Sequence, residues 1–412
     1  MADDSSAAVR PGASPAPRSG GVRSVVRPES LAEAVDAVRA AAAADRALLF
    51  TGAGSALSWG APPRRTDVVL ETTGLNRVLD HAAADLTVRV QAGMSLEELQ
   101  RLLAPSRQWL PFDPPAASSG ATLGGLLACA DAGPRQPAFG SLRDLVIGAT
   151  LVLADGSVVR TGGRVIKNVA GYDLAKLFAG SLGAFGLVAE LTLRVHPRPR
   201  ATATLAVPVA GPEGALTAAR AALRSPLEPV AAEWDGAHRL LLRFHGTPGG
   251  VEARLRLAAA VPELAGARPI GDEAEQADVW AAQARLVNGD EGDTVLRAGV
   301  RPAHLPDLVR SLEECARRDG VEATACGSVA IGVLTVRLRG GDAASHAACL
   351  TDWRRTVHAL GGTVTLRRRR EGVDALADAW GPAPSALPVL RALKRRFDPA
   401  DRCAPGRFAP WF

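Results

Sequence analysis

Three glycine-rich segments carry the residue types with which a protein backbone can bind phosphate groups. They are Thr51-Gly52-Ala53-Gly54-Ser55, Thr122-Leu123-Gly124-Gly125 and residues 180–186, each beside a predicted strand. Glycine lets the backbone approach a ligand closely, and successive N–H groups in a tight loop bind anions. The first segment could instead be an ordinary β-turn, and the second the start of a helix packed against a sheet. Because distant segments share this chemistry, we expect one long ligand that contacts all three.

The second segment belongs to residues 111–144, which are rich in glycine and proline yet apolar in the middle. A linker would leave that apolar middle in water, and a simple core helix would not contain so many glycines. We therefore interpret residues 111–144 as a cradle for a large cofactor.

The motifs of several other reactions are missing from the sequence. It contains no G-x-S-x-G elbow, no H-E-x-x-H motif and no Walker A lysine motif. The seven histidines lack metal-ligand spacing, and the five cysteines form no C-x-x-C pair. The sequence thus predicts neither a metal site nor a disulfide framework, and the scattered cysteines favour a reducing compartment.

Length and composition are those of a soluble protein with more than one domain. The 412 residues are 47% apolar and 22% charged. The net charge of +5 comes with only 4% aromatic residues, so nucleic-acid binding is not predicted. No apolar run approaches the roughly 20 residues of a membrane span. Residues 1–20 lack the pattern of a signal peptide and are predicted to be a disordered tail.

Periodicity and turn residues predict an α+β protein with a domain boundary near residue 199, in a proline-rich run. Ser30 and Ser95 are predicted to cap the first two helices. Before the boundary, strands are expected at residues 24–28, 47–50, 68–71, 86–92, 145–153, 158–160 and 187–195, and helices at 30–44, 96–103 and 171–179.

After the boundary, the β-α-β spacing indicates an α+β layer and suggests a ferredoxin-like half that is repeated. A closing helix is expected at residues 387–397. The other elements predicted there are strands at residues 202–209, 230–234, 239–245, 294–300, 328–339 and 362–368, and helices at 214–223, 251–260, 305–318 and 345–360.

Residues 45–200 resemble the FAD-binding domain of the vanillyl-alcohol oxidase (PCMH-type) flavoproteins. The similarity is closest to the FAD-binding subunit of bacterial glycolate oxidase (glycolate dehydrogenase), and a weaker one lies in the final LKRRFDPADRCAPGRF. The resemblance implies an FAD-binding domain of two α+β subdomains at residues 21–199, a ferredoxin-like α+β cap at 200–375 and a C-terminal segment at 376–412 that returns to the FAD domain. The segments that carry it are PFDPPAASSGATLGGLLACADAGPR, FGSLRDLVIGATLVLADGSVVRTGG and KNVAGYDLAKLFAGSLGAFGLVAELTLRVHPRP.

The resemblance also implies which residues contact FAD. Backbone N–H groups of the first glycine loop are expected to hold the pyrophosphate, and later segments to line the flavin and the adenine end. Because residues 51–60 contain neither His nor Cys, non-covalent FAD is expected. The predicted cofactor-binding residues are Thr51, Gly52, Ala53, Gly54, Ser55, Pro111, Asp113, Pro114, Thr122, Gly124, Gly125, Gly140, Ser141, Arg143, Asp144, Gly186, Val188 and Arg407.

An FAD-dependent oxidoreductase of CH–OH donors is the activity that the resemblance implies. As a glycolate oxidase-type subunit, the chain would take part in electron transfer from a small 2-hydroxy acid. A second FAD-containing subunit and an iron–sulfur subunit would be its partners, in the cytoplasm or at the inner face of the plasma membrane. The alternatives are a self-sufficient FAD-linked oxidase or dehydrogenase of a hydroxy acid or alcohol, and a non-catalytic assembly subunit with structural FAD.

The sequence identifies no catalytic base. Relatives that oxidise D-2-hydroxy acids often carry a pair of histidines with a metal, and this chain has no such pair. Ala404 stands where many relatives have Asn before Pro-Gly-Arg. Both departures favour a subunit that relays electrons.

Two further segments have competing interpretations. Residues 167–174 (KNVAGYDL) lie beside the flavin or a partner, or else Asn168 and Asp173 cap turns while Tyr172 packs in the interior. The arginines at residues 367–370 form a solvated face or, alternatively, a surface that docks a partner.

Overall fold

The computed structural model describes residues 24–163 and 173–412. The predicted N-terminal tail and nearly all of residues 167–174, including Tyr172, lie outside these ranges. The described strands form four sheets. The strands are β1 (Ser24–Val26), β2 (Leu48–Thr51), β3 (Val68–Glu71), β4 (Val78–Ala82), β5 (Thr87–Gln91), β6 (Gln108–Trp109), β7 (Val146–Val152), β8 (Val158–Gly162), β9 (Leu187–Arg194), β10 (His196–Pro197), β11 (Ala201–Pro208), β12 (Ala231–Trp234), β13 (Arg239–Gly246), β14 (Arg268–Pro269), β15 (Thr294–Gly299), β16 (Glu322–Ser328), β17 (Val333–Arg339) and β18 (Thr363–Arg368).

Helices alternate with these strands along much of the chain. The helices are α1 (Leu31–Ala43), α2 (Leu96–Leu103), α3 (Leu123–Cys129), α4 (Gln136–Phe139), α5 (Leu142–Leu145), α6 (Ala175–Phe178), α7 (Gly211–Arg224), α8 (Pro248–Ala258), α9 (Glu273–Asn288), α10 (Leu305–Asp319), α11 (Ala343–Ala359) and α12 (Leu387–Phe397).

The first subdomain is a parallel sheet in the order β1-β3-β2, against which α1 packs. The helix begins where it was predicted, because Ser30 Oγ accepts a hydrogen bond from Glu33 N at 3.2 Å. Its buried residues, Ala34, Val35, Val38 and Ala41, recur at helical spacing and form one apolar face.

The second subdomain is an antiparallel sheet in the order β4-β5-β9-β7-β8. Helices α2 and α3 pack on it with their leucines in a common core. Ser95 caps α2 as predicted, since its Oγ accepts a hydrogen bond from Glu98 N at 3.1 Å. These two subdomains have the α+β character that the resemblance implies.

The remaining large sheet contains eight antiparallel strands in the order β14-β11-β13-β12-β16-β17-β15-β18. It consists of two β-α-β-β-α-β units, one from β11 to β14 and one from β15 to β18. In each unit the first strand lies between the third and the fourth. The units join edge to edge through β12 and β16, where Trp234 pairs with Gly327. The predicted ferredoxin-like repeat is confirmed, and we call this sheet the cap sheet.

The structure of the cap differs from the prediction at two places. The single strand expected at residues 328–339 is a hairpin of β16 and β17, whose turn contains Gly332 at a φ of +70°. Helix α9 was not predicted at all. Its only buried residues are Trp280 and Gln283, because it covers a cavity that contains charged side chains instead of packing on the apolar core, and it therefore lacks a continuous apolar face.

The segment after α12 returns to the first subdomain. Leu48 N donates to Arg402 O, and Ala404 N donates to Leu48 O, both at 2.8 Å, so this segment runs alongside β2. The buried Lys394 ammonium fixes the return by contacting Asp398 Oδ2 at 2.6 Å and Cys403 O at 2.9 Å. The exact domain boundaries at residues 199 and 375 stay predictions.

Candidate functional site

Two of the glycine-rich segments meet where β2 ends and α3 begins. A Cβ atom on Gly52 would lie 2.0 Å from Thr122 Oγ1, so only glycine fits at this position. The same Thr122 oxygen accepts a hydrogen bond from Gly125 N at 3.3 Å and caps α3. The second segment is therefore a helix start, and it also lies directly against the first loop.

The third glycine-rich segment closes the same cleft from another side. Gly183, with a φ of +78°, lies against Phe50, whose ring a Cβ would approach to 3.3 Å. We call the space between the three segments the glycine cleft. Among the predicted cofactor-binding residues, the lining includes Thr51, Gly52, Ala53, Gly54, Ser55, Thr122, Gly124, Gly125, Gly186, Val188 and Arg407.

Backbone donors of the first loop are available in the glycine cleft. The N–H groups of Ala53, Gly54 and Ser55 have no hydrogen-bond acceptor among the described residues. Gly54 has a φ of +81°, a left-handed conformation that an L side chain would strain. Such a run of free N–H groups is the chemistry that binds a phosphate.

Arg407 supplies a buried positive charge at the glycine cleft. Its guanidinium donates to Ala56 O at 3.2 Å, Leu57 O at 2.7 Å and Ala61 O at 3.3 Å. Its Nε is buried and has no partner among the described residues. Burial lowers the pKa of Arg407 to about 9. A buried cation with an unused donor fits an anionic cofactor.

A second cavity, of about 440 Å³, lies on the face of the cap sheet that is opposite α7, α10 and α11, and α9 covers it. On this face, β12, β13 and β15 each contribute one charged residue, namely Glu233, Arg243 and Arg297. Both sequence neighbours of each charged residue belong to the apolar core on the opposite face. The alternation of a strand thus places one charge per strand in this space, which we call the cap cavity.

The FAD-binding part of the chain closes the cap cavity through Asp113 and Pro114, and residues 132–136 also line it. Asp113 Oδ2 lies 3.4 Å from Arg135 Nη1 and 3.5 Å from Arg243 Nη1. The Arg243 guanidinium also stacks on the Trp280 ring at 3.9 Å. Burial lowers the pKa of Arg243 to about 9, and it raises the pKa of Asp113 in spite of the two arginines.

Glu233 and Arg297 have fewer hydrogen-bond and ion-pair partners than the group formed by Asp113, Arg135 and Arg243. Burial raises the pKa of Glu233 to about 8, although the polar side chain of Ser328 and the charge of Arg297 oppose the shift. Ser328 Oγ and Gln283 Oε1 lie beside Glu233, and neither makes a hydrogen bond of good geometry among the described residues. Unpartnered buried polar atoms are costly, so this wall of the cap cavity is suited to a polar ligand.

Arginines of β18 join the cap sheet to the glycine cleft. Arg367 Nη1 lies 2.9 Å from Asp131 Oδ1, and its guanidinium stacks on Trp59 at 3.8 Å. Arg369 donates to the carbonyl oxygens of Ser58 and Gly60. The interpretation of residues 367–370 as a solvated face is therefore wrong for Arg367 and Arg369, which bind the loop that follows β2.

Five predicted residues line neither cavity. Pro111 is buried, and Gly140 precedes α5, where Ser141 and Asp144 form a capping box. Arg143 is exposed on the same short helix. The structure thus separates Pro111, Gly140, Ser141, Arg143 and Asp144 from the other predicted residues, and their contact with FAD stays a prediction.

Sequence reasoning missed most of the cap cavity, namely Glu233, Arg243, Trp280, Gln283 and Arg297. A signal was present, because AAEW, LLLRF and VLRAG each hold one charge between apolar residues inside a strand. Such a charge marks a strand with one polar and one apolar face.

Family models match both parts of the chain. A model described as "FAD binding domain" matches residues 22–162, and one described as "FAD linked oxidases, C-terminal domain" matches residues 213–408. The chain belongs to the PCMH-type FAD-linked oxidase family. The predicted fold class and the prediction of an FAD-linked oxidoreductase are thereby confirmed.

Relatives of this FAD-linked oxidase carry the names of enzymes of hydroxy acids. "Glycolate oxidase subunit GlcE" of Escherichia coli is 34% identical over 51% of this chain, and the match spans 59% of that protein. "D-lactate dehydrogenase" of Archaeoglobus fulgidus is 28% identical over 95% of this chain and 92% of its own length. A solved structure of alkyldihydroxyacetonephosphate synthase matches with a TM-score of 0.71 at 18% identity. It covers 92% of this chain and 76% of that chain, and it shows the fold alone.

The described part of the oxidase contains neither a metal-binding cluster nor a membrane-spanning helix. Within residues 24–163 and 173–412, no group of three or more His, Cys, Asp or Glu side chains could hold a metal ion. None of the helices described in those ranges is long and apolar enough to cross a membrane.

Proposed function

We propose that this chain is the FAD-binding subunit of a glycolate oxidase-type dehydrogenase and that a small 2-hydroxy acid binds in its cap cavity. The names of the two relatives support the substrate class, and the word "subunit" in one of them supports an assembly. The partners would be a second FAD-containing subunit and an iron–sulfur subunit, with the complex at the inner face of the plasma membrane.

In this proposal the glycine cleft and the cap cavity would together hold FAD. The free N–H groups of Ala53, Gly54 and Ser55 would bind the pyrophosphate beside the buried Arg407 charge. The end of α3 and the residues after it connect the two spaces, since Cys129 lines the cleft and Ala132 lines the cavity. When bound, FAD supplies the two-electron oxidant that takes the hydride of the substrate's α-carbon.

Non-covalent binding of FAD is part of the proposal. Cys129 is the cysteine that lines the glycine cleft, and burial raises the pKa of its thiol to about 12. A thiol that does not ionise is a poor nucleophile towards a flavin ring. No histidine of the described residues lines either space. After precipitation of the yellow protein with acid, we expect the flavin in the supernatant; flavin in the pellet would contradict this part.

The unpaired guanidinium of Arg297 is the observation that carries the substrate assignment. It faces the cap cavity without a hydrogen-bond or ion-pair partner among the described residues. An arginine presents two parallel N–H donors to a carboxylate, which makes it the usual residue for recognising a carboxylic acid.

Anaerobic titration of the purified chain with glycolate and with D-lactate tests the proposal. Bleaching of the flavin absorbance by the chain alone is the expected result. Bleaching that needs the reconstituted complex would instead show that substrate is oxidised on the partner and that this flavin relays electrons. A flavin that neither acid bleaches, alone or in the complex, would leave the interpretation of a structural FAD.

A further inference from the structure

We propose that Arg297 binds the carboxylate of the hydroxy acid and that Glu233 accepts the proton of its hydroxyl group. The inference rests on the proposed function and adds the two residues that the sequence left unidentified.

Register places both side chains on one face of the cap sheet. Arg297 pairs with Thr335 of β17, and Glu233 belongs to β12, which pairs with β16. The two residues are three strands apart, so their backbones are separated by roughly 14 Å. Both side chains line the same cavity, and each affects the pKa of the other through its charge.

Arg297 differs from the other arginines near it. Arg243 and Arg135 share Asp113, and Arg367 is paired with Asp131 at 2.9 Å. Arg297 has no such partner among the described residues, and burial together with the neighbouring Arg367 lowers its pKa to about 10. It remains charged at neutral pH, so it offers an incoming carboxylate a cation that no described protein anion already pairs with. Arg285 of α9 also lines the cavity without an ion pair in the described part of the chain, but it is exposed, whereas Arg297 is partly buried.

Unused hydrogen-bonding atoms at Glu233 independently indicate a ligand. Ser328 is 8% exposed and Gln283 is 3% exposed, and Ser328 Oγ and Gln283 Oε1 make no hydrogen bond of good geometry among the described residues. Both residues line the cap cavity beside Glu233. A hydroxy acid whose hydroxyl group lies at Glu233 brings polar atoms within reach of this wall.

The titratable groups that face Glu233 come from three elements. They are Arg297 on β15, Asp113 in the loop after β6 and the Cys326 thiol on β16. In the reaction, the hydroxyl O–H bond breaks and its proton passes to a Glu233 oxygen. The electron pair of that bond then forms the C=O bond as the α-carbon loses its hydride, for which bound FAD would be the acceptor. Only the ionised form of Glu233 accepts the proton, so alkaline conditions favour this step.

Oxalate tests both assignments without any turnover, because it has no hydride to lose. Its first carboxylate would bind Arg297, and its second would lie at Glu233 and favour the protonated form of that group. Calorimetry of the full chain in two buffers of different ionisation heat measures both affinity and proton uptake. At about pH 8, where Glu233 is half ionised, wild-type chain is expected to take up about half a proton per oxalate.

Variants separate the two roles. Arg297→Gln is expected to weaken oxalate binding by at least about tenfold, and Arg297→Lys to weaken it less, because lysine keeps the charge but loses the bidentate geometry. Glu233→Gln is expected to bind oxalate within about threefold of wild type but without proton uptake. Arg310 and Glu213 form an exposed ion pair on the helical side of the cap, so Arg310→Gln and Glu213→Gln are matched controls.

Other results would contradict the carboxylate site, the role of Glu233 or the proposed function. Wild-type affinity in Arg297→Gln, or no oxalate binding to wild-type chain, overturns the carboxylate site. Proton uptake that survives in Glu233→Gln overturns the role of Glu233. If these variants bind oxalate and oxidise hydroxy acids as wild type does, the inference fails while the proposed function stands. If oxalate binds as expected but no hydroxy acid bleaches the flavin, the proposed function and the proton transfer fail while the carboxylate site stands.

Melting temperature and flavin content of each variant distinguish a lost ligand contact from a lost fold. Both quantities are expected to match those of wild type for Arg297→Lys and for the two controls. If Arg297→Gln loses flavin, oxalate binding to Arg297→Lys decides whether Arg297 binds the carboxylate.

Discussion

The glycine cleft is lined mainly by backbone groups, whereas the cap cavity is lined mainly by side chains. Backbone N–H groups and tightly packed glycines line the cleft, and its main charge, Arg407, is held by three carbonyl oxygens. The cap cavity is lined by side chains with charges from separate strands, among them Glu233, Arg243 and Arg297. One site is defined by shape and the other by charge.

This difference teaches where change is tolerated. A cleft that depends on backbone geometry accepts almost no added atom, so substitutions there should affect FAD and the fold together. A cavity that depends on side-chain charge can change its ligand while the cap core on the other face of the sheet stays intact. Substitutions of both kinds test this contrast.

Arg407→Leu is expected to have the largest effect, since it removes the charge of the glycine cleft. Carbonyl oxygens of Ala56, Leu57 and Ala61 would lose their buried donor. We expect a loss of about 3–5 kcal/mol of unfolding free energy and a colourless protein. Urea unfolding and the flavin-to-protein absorbance ratio measure these effects. The exposed Arg391→Leu is the control, and full flavin content in Arg407→Leu would contradict the role given to Arg407.

Gly52→Ala tests shape alone, because it adds one carbon and no charge. The new Cβ would meet Thr122 Oγ1 at 2.0 Å, so the loop must move. We expect FAD affinity to fall by about tenfold to a hundredfold, measured by fluorescence titration. The double variant Gly52→Ala with Thr122→Ala should recover part of this loss. Gly249→Ala, where a Cβ meets no atom within 4 Å, should change nothing.

Glu233→Gln tests charge alone in the cap cavity. Burial raises the pKa of Glu233 to about 8 in the native state, whereas in the unfolded chain the carboxyl titrates at its ordinary pKa of 4.5. Between these values the native state binds more protons, so the stability of the wild-type chain falls as pH rises. The variant lacks this fall, and at about pH 9 it should gain on the order of 2–3 kcal/mol relative to wild type. Urea unfolding at about pH 5 and pH 9 measures the difference; equal pH dependence in both proteins would contradict it.

The smallest effect is expected at the contact that joins the two sites. Arg367 belongs to the cap sheet and Asp131 to the segment after α3, and their ion pair is almost fully buried. A double-mutant cycle of Asp131→Asn and Arg367→Gln should give a coupling of about 1–2 kcal/mol. Either single variant should weaken FAD and oxalate binding a few-fold together. Loss of only one ligand would show that the two sites are independent.

The three segments of the glycine cleft could be picked out from the sequence because each of them is contiguous. Gly52, Thr122 and Gly186 belong to local motifs whose chemistry is visible without knowing what lies opposite them. The helix caps at Ser30 and Ser95 were predicted for the same reason, since a cap depends on a neighbour three residues away.

The cap cavity could not be predicted in this way. Its charged residues lie on strands that meet only after two ferredoxin-like units join at Trp234 and Gly327. Helix α9 is not visible in the sequence because it lies over a cavity and not over the apolar core, so its sequence lacks an apolar period. Arg367 and Arg369 looked like a charged surface because their partners are more than 200 residues away.

The return of the chain to β2 also sets the order in which the protein can mature. Leu57 is separated by 350 residues from Arg407, the cation that holds its carbonyl oxygen. Domains fold from the N-terminus during synthesis, and contacts between residues far apart in sequence form slowly. The first glycine loop must therefore wait, without its cation, until synthesis has passed residue 407. Cofactor loading is then a late event, and a translation arrest within the cap would release a chain unable to hold FAD.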